Sequence, residues 1–171
     1  MNKTFETERL ILKPVDTNDG PFIYDLMSSD TWLNNIGYRN IDTVADADAY
    51  INSFHLPHWK ENGCGSYIVI EKSTNTKVGL TGLFNRPGLN TVDVGFAYLE
   101  PFQNKGYGYE AASRVIELAT QNDFNHIVAI TNEKNVASQN LLKKLGLKYS
   151  KKITLPNSNE ELMLFELANE N

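Results

Sequence analysis

Cysteine is almost absent from this chain. Cys64 stands alone among 171 residues, which excludes an intrachain disulfide and gives no sign of an oxidising compartment. Histidine is nearly as scarce: His55, His58 and His126 form no zinc-ligand pattern and no His-Glu-x-x-His, so no metal is expected. His55 and His58 are three apart, which places them on one helix face as ordinary surface or cleft-lining residues. Long apolar runs are missing too, with no window near the roughly 18 to 20 residues of a helical membrane span. Residues 1–6 lack the basic-then-apolar run of a secretory leader. A cytoplasmic location is therefore expected, with no membrane partner. Basic excess is also lacking: the net charge of −5 argues against a nucleic-acid-binding face. No repeat, low-complexity tract or Pro/Gly/Ser linker divides the chain, so residues 1–171 read as one domain.

The pattern that is present begins with a strand at residues 8–13, where Leu10 and Leu12 alternate, closed by Pro14. Residues 19–27 predict a short helix with Asn18 or Asp19 as cap and Pro21 in its first turn. A longer helical pattern over 42–61 is broken at Pro57, and Gly63–Gly65 end it. Strands follow at 66–71, 77–84 and 91–99, joined by turns too short for crossovers, so they read as an antiparallel meander. On the third, a period of two puts Asp93, Gly95, Ala97 and Leu99 on one face. The pattern changes at Pro101. Residues 107–121 are helical, with Ala111, Ala112, Val115, Ile116 and Ala119 as the packing face. A strand at 126–131, parallel to its predecessor, a helix at 135–145 capped by Gly146, and strands at 147–153 and 161–167 complete an α+β, or mixed α/β, sheet.

One junction carries chemistry. Between the strand at 91–99 and the helix at 107–121 lies Gln103-Asn104-Lys105-Gly106-Tyr107-Gly108. Free N–H groups and the positive end of the helix dipole make such a junction an anion site. Gly106 and Gly108 allow close backbone approach, and Lys105 adds a cation. The P-loop ending and the three-glycine dinucleotide fingerprint are both absent. Two glycines alone describe a turn as readily as a phosphate site. Lys143, Lys144, Lys148, Lys151 and Lys152 crowd one later stretch, as a solvated face or as a patch that attracts phosphates.

Residues 93–112, DVGFAYLEPFQNKGYGYEAA, resemble the acetyl-CoA-binding segment of the GNAT superfamily of N-acetyltransferases. Gln103, Gly106 and Gly108 match its Gln/Arg-x-x-Gly-x-Gly/Ala pattern. Thr7–Leu12, Val78–Leu83 and Asn135–Leu147 are similar, in the same order, to the branch of ribosomal-protein N-terminal acetyltransferases. The resemblance implies a single domain whose mixed, mostly antiparallel sheet of about seven strands, flanked by about four helices, splays open between the strands at 91–99 and 126–131. It also implies pantetheine pairing at Ala97, Tyr98 and Leu99, and pyrophosphate binding by Gln103, Asn104, Lys105, Gly106, Tyr107, Gly108 and Tyr109. Asn135 and Ser138 would approach the pantetheine or thiol end, and Lys143 the phosphates.

The implied reaction is attack of an amine on the acetyl-CoA thioester, which needs a base because free amines are mostly protonated at neutral pH. Asp93 occupies the place where relatives often carry a glutamate that acts through water; an exposed strand carboxylate is the alternative reading, and Glu100 a weaker candidate. An N–H near Ala97 would stabilise the oxyanion. The tyrosine that many relatives use as acid is replaced by Leu142, which leaves Ser138 or direct departure of the thiolate; a hydroxyl bonded to its own helix backbone is the alternative reading of Ser138. Cys64 reads as a small core residue. Trp32, Tyr38, Phe54, Trp59 and Phe84 are candidate acceptor-cleft walls, and Asp30, Asp42 and Glu61 candidate attractors of a cationic amine. The expected acceptor is a protein N-terminus or a small-molecule amine, taken by a monomer or homodimer; the competing expectation is a non-catalytic acyl-CoA sensor.

Overall fold

The computed structural model describes residues 1–156 and 158–167. The expected domain span of 1–171 thus includes residues 157 and 168–171, which lie outside the described residues. The strands are β1 (Phe5–Glu6), β2 (Leu10–Pro14), β3 (Ser66–Glu71), β4 (Thr76–Asn85), β5 (Val92–Tyr98), β6 (Ile127–Thr131), β7 (Leu147–Thr154) and β8 (Glu161–Leu167). They form one sheet in the order β1-β2-β3-β4-β5-β6-β8-β7. Every neighbouring pair is antiparallel except β5 with β6. This is the expected mixed sheet, with the two-residue β1 added at its edge.

The helices are α1 (Gly20–Met27), α2 (Asp30–Asn35), α3 (Val44–Tyr50), α4 (Leu56–Asn62), α5 (Tyr107–Gln121) and α6 (Val136–Lys144). At six residues α2 is too short to show a period, and it starts because Ser29 Oγ accepts from the Trp32 N–H at 3.3 Å. The break expected at Pro57 is a π turn at Ile51–His55, immediately upstream. Its wider turn leads directly into α4, where Pro57 occupies the first turn and its missing N–H breaks no bond.

Two cores cover the two faces of the sheet. On one side α5 lays Ala111, Ala112, Val115 and Ala119 against Val92, Val94 and Ile127; the small alanines let the helix axis approach the strands closely. On the other, α1 to α4 bury Phe22, Ile23, Leu26, Trp32 and Ile51 against Ile68, Leu80 and Phe84. Strand β3 is covered on both faces, which is why its Tyr-Ile-Val-Ile run does not alternate.

Both paired histidines belong to this packing and not to the surface. His58 is buried, and its Nε2 accepts from the Asn85 N–H at 3.1 Å. His55 lies 2.9 Å from Ser66 Oγ, and burial, then the neighbouring His58, pushes its pKa down to about 4. Cys64 is fully buried, and burial raises its thiol pKa to about 11; it is a core residue. Lys148, Lys151 and Lys152 lie on the outermost strand, β7, where exposed charge discourages edge-to-edge pairing.

Asp19 sits at the N-cap of α1, yet its carboxylate does not cap. It is buried, and accepts instead from Lys13 and Lys77, each at 2.7 Å, and from the Asp16 N–H at 2.8 Å. This ties α1 to β2 and β4. Asp19→Ala leaves two lysines without their shared partner, both able to turn to solvent, so the expected cost is about 2–3 kcal/mol. Urea denaturation measures it; a loss under about 0.5 kcal/mol would show that the carboxylate is not a structural tie.

Candidate active site

The parallel contact between β5 and β6 is brief. It holds at Val92↔Ile127 and Asp93↔Val128 and then stops, although both strands continue. From Gly95 onward, one edge of β5 faces a gap. The Leu99 N–H donates to Val78 at 3.1 Å, and the Gly95 carbonyl accepts from Thr81 Oγ1 at 3.1 Å. Odd-numbered residues therefore turn their backbone toward β4. By alternation, Phe96 and Tyr98 turn theirs into the gap. Ala97 lines the gap, while its backbone belongs to the β4 ladder; this refines the expected Ala97–Leu99 pairing edge to Phe96 and Tyr98. Leu99 packs against the α1–α4 core instead.

At the mouth of the gap the chain makes a 3₁₀ turn (Glu100–Phe102) and enters α5 through two left-handed residues, Asn104 (φ 59°) and Gly106 (φ 82°). The first backbone bond of the helix runs from the Glu110 N–H to Gly106. The amides of residues 104–109 have no backbone acceptor among the described residues, and they gather at the positive end of a fifteen-residue helix. Free amides at a helix start are suited to an anion. Gln103 Nε2 donates to the Tyr98 carbonyl at 2.9 Å and so pins the loop to the strand.

The loop is braced from outside by Arg9 and Glu110. The Glu110 carboxylate accepts from Thr7 Oγ1 (2.6 Å), the Arg9 N–H (2.8 Å) and Arg9 Nε (2.7 Å). Arg9 also donates to the Lys105 carbonyl at 2.9 Å and lies 4.8 Å from the Tyr107 ring centre. Partial burial pushes Glu110 up, but the bonds from Thr7 and Arg9 outweigh it and hold its pKa below the ordinary range. Because the folded pKa is depressed, this brace is intact at neutral pH and weakens as pH falls through the carboxylate range. The Tyr107 hydroxyl bonds Glu71, so its side chain anchors the helix away from the gap.

A single cleft of about 700 Å³ joins these parts, within the usual size of small-molecule sites. The expected residues Asp93, Ala97, Tyr98, Gln103, Asn104 and Gly106 line it, as do Gly108, Tyr109, Asn135 and Ser138. Lys105, Tyr107, Leu99 and Lys143 do not; Lys144 lines it in place of Lys143, its ammonium 4.6 Å from the Tyr109 ring centre. Of the acceptor-wall candidates, Trp32 and Phe84 line the cleft, while Tyr38, Phe54, Trp59, Asp30, Asp42 and Glu61 lie off it.

Asp93 is not an exposed strand carboxylate. It is 1 % exposed, and both its oxygens lie 2.9 Å from Arg86 Nε. Burial raises its pKa above the ordinary value, opposed by the Arg86 charge and hydrogen bond. Ser138 is half-buried; Asn135 Oδ1 accepts from its N–H at 3.1 Å, and its hydroxyl makes no hydrogen bond among the described residues. The hydroxyl is thus not spent on its own helix, and Leu142 beside it is buried in the core. Glu100 is exposed and off the cleft.

Three participants were not visible beforehand. Arg86 sits in the β4–β5 turn, and the pairing Phe84↔Asp93 brings it over the carboxylate; a cation in the turn preceding Asp93 was the available signal. Asn132 accepts from the Asn135 N–H at 2.8 Å and donates to the Asn35 carbonyl at 3.2 Å, so it spans the cleft from β6 to α2. Arg39 lines the cleft from the loop after α2.

The geometry agrees with comparisons to known proteins. Residues 9–148 match the family described as acetyltransferase (GNAT) domain. The uncharacterized N-acetyltransferase YnaD of Bacillus subtilis is 25% identical over 143 residues, which cover 83% of this chain and 81% of that protein. Uncharacterized N-acetyltransferase YjdG of the same organism is 28% identical over 152 residues, covering 82% and 87%. The structure of RimL, a ribosomal L7/L12 alpha-N-protein acetyltransferase in complex with coenzyme A, superposes with a TM-score of 0.81 at 14% identity, covering 96% of this chain and 97% of that one. With four fifths of its length matched to that domain, and with the splayed strands and open helix start in place, the chain belongs to the GNAT family and is an N-acetyltransferase.

Proposed function

We propose that the chain moves an acetyl group from acetyl-CoA to a primary amine in one ternary complex, as a single domain similar to the ribosomal-protein N-terminal acetyltransferase branch. The observation that carries this reading is the unpaired β5 edge leading straight into the free amides of residues 104–109. That run suits a chain of amides followed by a pyrophosphate, and the residues present fit coenzyme A.

Acetyl-CoA supplies the activated acetyl group as a thioester. The residues assigned to hold it are Phe96, Ala97 and Tyr98 along the strand, and Gln103, Asn104, Lys105, Gly106, Tyr107, Gly108 and Tyr109 at the loop. Asn135 and Lys144 close the far side; Lys143, one residue earlier and off the cleft, is left with at most a distant electrostatic part. The acceptor nitrogen forms the C–N bond as the C–S bond breaks. Its proton passes through a water to Asp93, whose raised pKa favours accepting it, while the Arg86 charge and hydrogen bond oppose that rise. The N–H groups of Phe96 and Tyr98 face the gap and are the candidate oxyanion donors. Ser138 Oγ hands a proton to the departing sulfur and regains one from solvent. The net change is one amine proton lost and one thiol formed.

Two measurements test these assignments. A Cβ at Gly108 would lie 2.9 Å from Leu141 Cδ2, on the cleft side of the helix start. Gly108→Val is expected to raise the Kd for coenzyme A about tenfold, or about 1.4 kcal/mol, with an unchanged circular dichroism spectrum. Unchanged affinity removes the loop from the cofactor site.

Asp93→Asn should lower kcat about 10²–10⁴-fold at pH 7 without altering coenzyme A affinity, and the deficit should shrink as pH rises and neutral amine accumulates. Full turnover at pH 7 would eliminate Asp93 as base. Binding of acetyl-CoA with no thiol release across a broad amine panel would favour the sensor reading.

A further inference from the structure

The acceptor half of the cleft carries two arginines. Its wall is made by α2, the loop after it and the β4–β5 turn, with Trp32, Asn35, Arg39, Phe84 and Arg86 facing inward. No acid suspected from sequence reaches it: Asp30, Asp42 and Glu61 lie off the cleft, and Asp42 accepts from the Tyr38 hydroxyl at 2.7 Å. Two carboxylates do line it. Asp93 is buried and already engaged with Arg86, and Glu160 is exposed on the loop before β8.

Arg86 is held in place with donors to spare. Nε is fixed by both oxygens of Asp93, and the guanidinium carbon sits 5.3 Å from the Phe84 ring centre. Its two terminal nitrogens have no partner among the described residues, and its side chain remains 33% exposed. Arg39 is exposed, lines the same wall, and makes no ion pair among the described residues. Both arginines line the same cleft.

Planar guanidinium donors suit a carboxylate, and a cleft carrying two of them disfavours an acceptor with further positive charge. We propose that the acceptor is a primary amine bearing its own carboxylate, and that Arg39 together with the free end of Arg86 seats that carboxylate. This rests on the reading of the cleft as an acetyltransferase site and specifies its acceptor.

The test uses the full chain, saturating acetyl-CoA and thiol release. The probes are the free α-amino acids, each against its α-amide, and short peptides with a free N-terminus and acidic second and third residues, each against the peptide with Gln and Asn there. The wild type should prefer the carboxylate member of the better series at least tenfold in kcat/KM, and the series that responds separates a free acid from an acidic peptide. Arg39→Ala should raise KM for that member about 10- to 100-fold, with kcat within threefold. It should leave the amide partner and the KM for acetyl-CoA unchanged, and Arg39→Lys should fall between. Arg86 is unsuitable for this comparison because its loss also releases Asp93.

Equal use of acid and amide, or equal loss of both in Arg39→Ala, overturns the proposal. If acetyl-CoA binds and no amine is acetylated, the transferase reading of this cleft fails. Calorimetric titration of the same carboxylates into coenzyme A-loaded wild type and Arg39→Ala then decides the anion seat alone. Binding lost in the variant supports it, and no binding to the wild type overturns it.

Discussion

The rest of the molecule depends on one unfinished ladder. Strands β5 and β6 run parallel for two paired positions and then part, while β5 stays paired with β4 and β6 with β8. An open sheet edge inside a domain is costly unless something completes it. On the proposed reading, its partner is the run of amides in the cofactor, paired as an added strand. The remaining elements make that opening tolerable. The β4–β5 ladder is continuous over seven registered pairs, so β5 is rigid on its other side. Strand β8, antiparallel to both β6 and β7, holds β6 in place as it leaves β5.

A gap between strands is not yet an anion site, and the step from one to the other is made by the loop at residues 103–108. Its two left-handed residues, Asn104 and Gly106, turn the chain into a helix start whose first amides have no backbone acceptor among the described residues, and the helix dipole favours an anion there. Glu110, one turn into that helix, faces outward to Arg9 and Thr7. An acid in the first turn is favoured by the helix dipole in any case. Placed on the outer side, it stabilises the helix start without competing with a phosphate on the inner side. Arg9, whose guanidinium also takes the Lys105 carbonyl, orders the loop from behind, so the cation nearest the loop's backbone acts as a brace.

Much of this was legible in the sequence because it is periodic or local. The alternation in β5, the alanine face of α5 and the glycines at its start have direct physical meanings, and the resemblance of residues 93–112 to an acetyl-CoA segment joined them. What stayed hidden depends on register and on contacts between distant residues. Which edge of β5 faces the gap follows from a single bond, Leu99 N–H to Val78, and that moved the pairing backbone from Ala97 to Phe96 and Tyr98. Helix α2 is too short for a period, so the cleft wall it forms, with Asn35 and then Arg39, had no signal. The histidines at 55 and 58, three apart on one face, read as surface or cleft-lining residues; the π turn and the burial of α4 place them in the core instead.

The pairing of Asp93 with Arg86 shows how one interaction serves opposed demands. A buried carboxylate alone would hold its proton and be useless as a base at neutral pH, because desolvation disfavours its charge. A carboxylate gripped by a bidentate guanidinium would be too acidic to take one. Here only Nε of Arg86 reaches Asp93, equidistant from both oxygens, so neutralisation is partial and the pKa stays above the ordinary value. The same single-nitrogen contact leaves the terminal nitrogens of Arg86 directed elsewhere, on the wall that Arg39 shares. On the proposed reading, one side chain both tunes the base and seats the acceptor. That requires the carboxylate of the acceptor to lie a few bonds from its amine, which is a constraint on acceptor shape as well as on its charge.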